Sequence, residues 1–116
     1  MIERVIVYGL VDSRYPRTIR YVGMTGNLPS RLQSHRGHVE IYGNLGAWKD
    51  EMRRTAGWID ALVLSTHPSR EAAEAAEWRT IARLRRRGFC DCNTMKASLS
   101  GAFAAMWTAK HARNAA

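Results

Sequence analysis

The chain alternates short apolar runs with polar breaks marked by glycine and proline, and the spacing of the apolar positions changes from run to run. Val5 to Val11 is β-branched and carries Tyr8 and Leu10, the make-up of a strand. "DSRYPR", with Pro16 near its centre, reads as a turn. "TIRYVG" predicts a second strand that stops at a tight glycine turn, and so short a connection makes the two strands antiparallel. Asn27 is placed to cap a helix with Pro29 in its first turn, where the missing N–H costs nothing. This helix runs to about His35 and ends before Gly37, with Leu28 and Leu32 on its core side.

"YGNLGAWKDEMRRTAG" reads as a glycine-bearing loop followed by a short helix from Ala47 to Arg54, closed by Gly57. In "WIDALVLS", Trp58, Asp60, Leu62 and Leu64 alternate with Ile59, Ala61 and Val63, which predicts a third strand. A long helix follows from about Arg70 to Arg87, stopped by Gly88, and "FCDCNT" is a connection of extended character. Leu99, Phe103, Met106 and Trp107 recur at helical spacing, so Lys96 to about His111 reads as a last helix, interrupted or started near Gly101. No internal repeat is present. The order of elements predicts an α/β (α+β) fold: a small three-stranded, at least partly antiparallel sheet flanked by helices. Residues 1–95 make the main domain, and residues 96–116 a C-terminal helix packed on that domain or on a partner subunit.

One position breaks the pattern of the long helix. On a wheel of about 100° per residue, Ala73, Ala76, Thr80, Ile81 and Leu84 form the stripe that faces the core, and Glu77 lies within it. A carboxylate aimed at apolar surroundings costs several kcal/mol unless it is paired or metal-bound. It is either a salt bridge to an arginine, a residue at a shallow stripe edge, or a functional carboxylate, most simply a divalent-metal ligand. Arg31 and His35, four residues apart, share one edge of the capped helix, and Tyr8 and Tyr21 lie near the ends of the first two strands. Neither Arg31 nor His35 is needed to build a core at that spot, whereas buried tyrosines commonly fill cores.

Charge narrows the partner. Lys plus Arg number 18 against 10 Asp plus Glu, a net charge of +8, and most of the excess is arginine, whose planar fork suits phosphate. A nucleic acid is the expected partner; an arginine bias inherited from base composition is the bland alternative. Arg83, Arg86 and Arg87, in "RLRRR", suit the negative end of a helix dipole and equally a phosphate backbone. Cys90 and Cys92 form a lone C-x-C, short of the paired sets that zinc requires, and read as two buried thiols of a reducing compartment. No apolar run of about 18 residues is present and the N-terminal segment lacks a signal-peptide pattern, so a cytoplasmic location is the default expectation.

Taken in order, these residues resemble the GIY-YIG nuclease family. The first signature corresponds to Ile6-Val7-Tyr8, in which only the tyrosine is kept, and the second to Tyr21-Val22-Gly23. Thr25, Asn27-Leu28, Arg31 and His35 follow in the family's order. Glu77, with Ile81 four positions on, matches the metal-binding glutamate, and Asn93 the asparagine after that helix. Met24 stands where some members carry a lysine. The resemblance spans roughly residues 4 to 94 and implies a GIY-YIG-like fold and a DNA endonuclease dependent on one Mg²⁺ or Mn²⁺ ion. It implies that Tyr8 holds or deprotonates the attacking water with help from His35, and that Arg31 and Tyr21 bind the phosphate. Glu77 would hold the metal, and Asn93 would assist near the scissile bond. Two competing expectations are a catalytically silent basic nucleic-acid-binding module of the same fold and a protein-interaction domain whose charge is incidental.

Overall fold

Val5–Asp12 forms strand β1, and every residue of it except Ile6 is buried, as a β-branched run becomes when both its faces are covered. The computed structural model describes residues 4–37, 43–90 and 92–93. Strand β2 is Tyr21–Thr25, helix α1 Leu28–Gly37, helix α2 Gly43–Arg54, strand β3 Ile59–His67 and helix α3 Arg70–Arg86. The sheet order is β2-β1-β3 and both pairings are antiparallel, so the class is α+β. The expected last helix, from Lys96 to His111, lies outside the described residues.

Alternation along β1 separates two cores. Val5 and Val7 meet Val22, Ala73, Ala76, Ile81, Leu84 and Cys90, so α3 covers one face of the sheet. Tyr8 and Leu10 meet Trp48, Met52, Ile59 and Cys92, with Leu28 and Leu32 half-buried against them, so α1 and α2 cover the other. The helical stripe foreseen for α3 is buried throughout, Glu77 included. Its ends are conventional: the Ser69 side chain accepts from the Ala72 amide, and Gly88 takes a φ of 84° where the chain turns away.

The second strand differs from its expectation. It begins at Tyr21 rather than Thr18 and runs through Gly23 to Thr25, so Gly23 is a mid-strand residue paired with Tyr8 and not a turn. Helix α2 starts four residues before Ala47, taking in Gly43 and Gly46. Burial of Trp48 and Met52 outweighs the roughly 1 kcal/mol that each glycine costs a helix. Strand β3 continues two residues past Ser65, because Thr66 and His67 find partners in Ile6 and Val5. Its strict alternation fails at Leu64, where the register slips between Val7 and Tyr8. This bulge lies beside Tyr8, and such bulges re-aim neighbouring side chains.

The outer edge of β2 is covered by the segment after α3. The amide of Cys90 donates to the Ile19 carbonyl at 2.9 Å and that of Cys92 to the Arg20 carbonyl at 2.9 Å. Both cysteines are buried, one in each core. A ladder of this kind satisfies backbone groups that an edge strand otherwise leaves to solvent.

Candidate active site

Three rings meet on the α1 side of the sheet. The Tyr8 hydroxyl and His35 Nε2 are 2.8 Å apart in a buried hydrogen bond between residues 27 apart in the chain. The ring of Tyr21 lies 6.4 Å from that of Tyr8 and 5.4 Å from that of His35, edge-on to the imidazole. Each residue is brought there by a local cause. Tyr8 leaves β1 at the bulge, and Tyr21 opens β2 two registers away, opposite Leu10. His35 is carried by α1, whose start is set by the Asn27 side chain accepting from the Ser30 amide at 3.2 Å. The Thr25 hydroxyl accepts from the Asn27 amide at 3.1 Å, which ties the helix start directly to β2.

Gly23 makes the arrangement possible. A Cβ at that position would lie 2.5 Å from the Tyr8 hydroxyl oxygen and 2.7 Å from its Cζ, so the phenol rests across bare backbone.

Electrostatics ties two further residues to the group. Burial holds the Tyr8 phenol well above its ordinary value, and the neighbouring Tyr21 and Glu77 act in the same direction, whereas Arg31 acts against them. Tyr8 is therefore a phenol with a proton to give, and a His35 protonated at Nδ1 accepts it in the hydrogen bond. Arg31 is exposed, one turn before His35.

Glu77 is 5% exposed and, among the described residues, makes no hydrogen bond or ion pair. Among the described residues the salt-bridge reading of this carboxylate finds no partner. Burial pushes its carboxyl up to about 7, Glu74 adds to the shift, and Arg70 offsets part of it. No cluster of three or more His, Cys, Asp or Glu gathers among the described residues. A single carboxylate fits Mg²⁺ or Mn²⁺, ions that keep several waters and take further oxygens from phosphate.

The other expected residues lie apart from the three rings. Asn93, expected near the scissile bond, spends its side chain on β2: Oδ1 accepts from the Val22 amide at 2.7 Å and Nδ2 donates to the Val22 carbonyl at 2.8 Å. It is buried and positions the strand that carries Tyr21 and Gly23. Arg83, Arg86 and Arg87 are exposed at the far end of α3, ~9 to ~15 Å along its axis from Glu77, and Arg86 points to the opposite side of the helix. They are not part of the ring cluster. Residues that pattern did not single out are Lys49, buried despite its charge, and Trp58, exposed despite its ring.

The chain matches no family model, no curated protein and no solved structure.

Proposed function

We propose that this chain is a divalent-metal-dependent endonuclease of the GIY-YIG type, hydrolysing phosphodiester bonds in DNA. The observation that carries the reading is the buried Tyr8–His35 hydrogen bond with Tyr21 against both rings. Tyr8, Tyr21 and His35 come from three separate elements, and they are among the residues that the family resemblance selects.

Hydrolysis of a phosphodiester requires removal of a proton from water, neutralisation of charge at phosphorus and stabilisation of the leaving oxygen. Tyr8 holds its proton too tightly to be a preformed phenolate, so it takes a proton from water only as its own passes to His35 Nε2. In that exchange the water oxygen bonds to phosphorus, the P–O bond to the leaving oxygen breaks, and solvent protonates the leaving oxygen. Arg31 pairs with a non-bridging phosphate oxygen, as an exposed guanidinium beside the rings can. The Tyr21 hydroxyl hydrogen-bonds the same phosphate or the attacking water. Glu77 is the residue that would hold the metal, which when bound supplies positive charge at the phosphate and lowers the cost of ionising Glu77.

The test is incubation of supercoiled plasmid and branched DNA with wild type and Glu77→Ala in Mg²⁺, Mn²⁺ or EDTA. Nicking by wild type alone, and only with metal, is expected. A folded wild type that binds DNA but cleaves neither substrate selects the silent binding module instead.

A further inference from the structure

The second half of α3 carries a row of arginines that the ring cluster does not use. After Glu77 the helix reads WRTIARLRR, with four arginines and no acidic residue. Arg85 is half-buried and donates to the Asn93 carbonyl, so the fold employs it. Arg79, Arg83 and Arg86 are exposed and make no hydrogen bond or ion pair among the described residues. At about 100° per residue these three lie within an arc of about 60°, spread over about 10 Å of helix, and Arg86 stands opposite Glu77. The row therefore faces away from the sheet, with α3 and the sheet between it and the three rings.

Fold stability does not explain the row. Arginines in a last turn are favoured by the helix dipole, which accounts for Arg83 and Arg86 but not for Arg79, two turns from the end. Arg79 and Arg83 are four apart, and like charges at that spacing repel. The acidic residues of α3, Glu71, Glu74 and Glu77, all precede the row. A positive strip on a rigid helix suits a polyanion. Along one DNA strand phosphates recur about every 3.4 Å of axis, so the row spans about three of them. An anionic membrane is a poorer fit, because the large aliphatic side chains that would enter it, Ile81 and Leu84, are buried against the sheet.

Resting on the nuclease reading above for the choice of DNA among polyanions, we propose that Arg79, Arg83 and Arg86 bind the phosphate backbone of DNA away from the bond that is cut. The contact supplies affinity without sequence preference, since guanidinium groups on phosphate read no base. It supplies no chemistry, because the row and the rings lie on opposite sides of the sheet. The chain thus grips its substrate at two places, one for holding and one for cutting.

The experiment measures affinity for a labelled DNA duplex in EDTA, where cleavage is not required, by fluorescence anisotropy across a salt series. Wild type is compared with the double variant Arg79→Gln/Arg83→Gln and with Arg4→Gln/Arg17→Gln, which removes the same charge from exposed arginines outside the row. In the row variant the slope of log affinity against log salt is expected to fall by about two, and affinity at about 0.1 M salt by about tenfold or more. The control pair should change the slope by well under one. All four side chains are exposed, so both variants fold, which circular dichroism checks. An equal fall in the control, an unchanged slope in the row variant, or no binding of duplex by wild type at low salt overturns the proposal. So does a row variant that keeps its affinity for DNA and loses binding to phosphatidylserine vesicles. Where wild type cleaves, the row variant should cleave saturating DNA at the wild-type single-turnover rate, and a slower rate there overturns the division between holding and cutting. The two proposals fail separately. Cleavage with an unchanged slope in the row variant removes the row alone, and a row-dependent slope without cleavage removes the nuclease alone.

Discussion

The Tyr8 hydroxyl lies so close over Gly23 that a methyl group there would stand 2.5 Å from it. A contact at that distance displaces one partner, and the stiff phenol buried in a packed core is the one with an alternative, at the expense of its bond to His35. Gly23→Ala is therefore expected to cost about 1–3 kcal/mol in stability by overpacking and to abolish cleavage in the fraction that stays folded. Urea unfolding beside a single-turnover assay checks both.

Tyr8→Phe removes one oxygen and keeps the ring. Its expected effect is a drop in cleavage of about 10²-fold or more with DNA affinity unchanged, since proton transfer is lost and phosphate binding is not. Retention of full activity would remove Tyr8 from the chemistry and leave it as packing.

Arg31→Ala separates catalysis from fold from another direction. Arg31 is exposed and its side chain makes no hydrogen bond among the described residues, so the melting temperature should hold while cleavage is lost. A marked fall in melting temperature would show a structural duty for the guanidinium.

Glu77 makes stability depend on pH in an unusual direction. Its carboxyl stands near 7 in the folded chain against 4.5 when solvated, so the folded state binds the proton more tightly. Between those values stability falls as pH rises, and above about 7 the full cost, on the order of 3 kcal/mol, is present. In EDTA, wild type should lose melting temperature as pH is raised from about 5 to about 7.5, and Glu77→Gln should lose less. Mg²⁺ or Mn²⁺ should restore wild type at the upper pH and leave Glu77→Gln unmoved. A Glu77→Gln chain that is less stable than wild type above pH 7 in EDTA would contradict the unpaired carboxylate.

Asn93→Ala leaves a buried amide and carbonyl of Val22 without partners. The expected loss is about 2–4 kcal/mol, with cleavage per folded molecule little changed. A selective loss of activity at unchanged stability would return Asn93 to the substrate.

How far such a site can be read from residues alone depends on whether its causes are local. Helix α3 was legible because an amphipathic period is local: the stripe from Ala73 to Leu84 and the misplaced Glu77 follow from spacing, and burial agrees at each position. The cap at Asn27 was legible for the same reason. Gly23 was not, because its reason is a phenol fifteen positions earlier that only strand pairing brings opposite it. The bonds from Asn93 to the Val22 backbone were not legible, since the two are distant in the chain. Trp58 looked like one apolar member of an alternating strand, and the bracing by Arg36 that keeps it outside depends on where α1 ends.

The cover on β2 also has a consequence in time. Strand β2 carries Tyr21 and Gly23, yet the groups that complete its outer edge, from Cys90 to Asn93, are made about seventy residues later. On the ribosome, β1, β2 and α1 emerge long before that segment, and β3 before it too. A nascent chain therefore holds the tyrosines and the histidine without the backbone that locks their strand. The strand that carries Tyr21 and Gly23 therefore comes into register only when synthesis has passed residue 93, and a nuclease of the kind proposed would stay inactive until then.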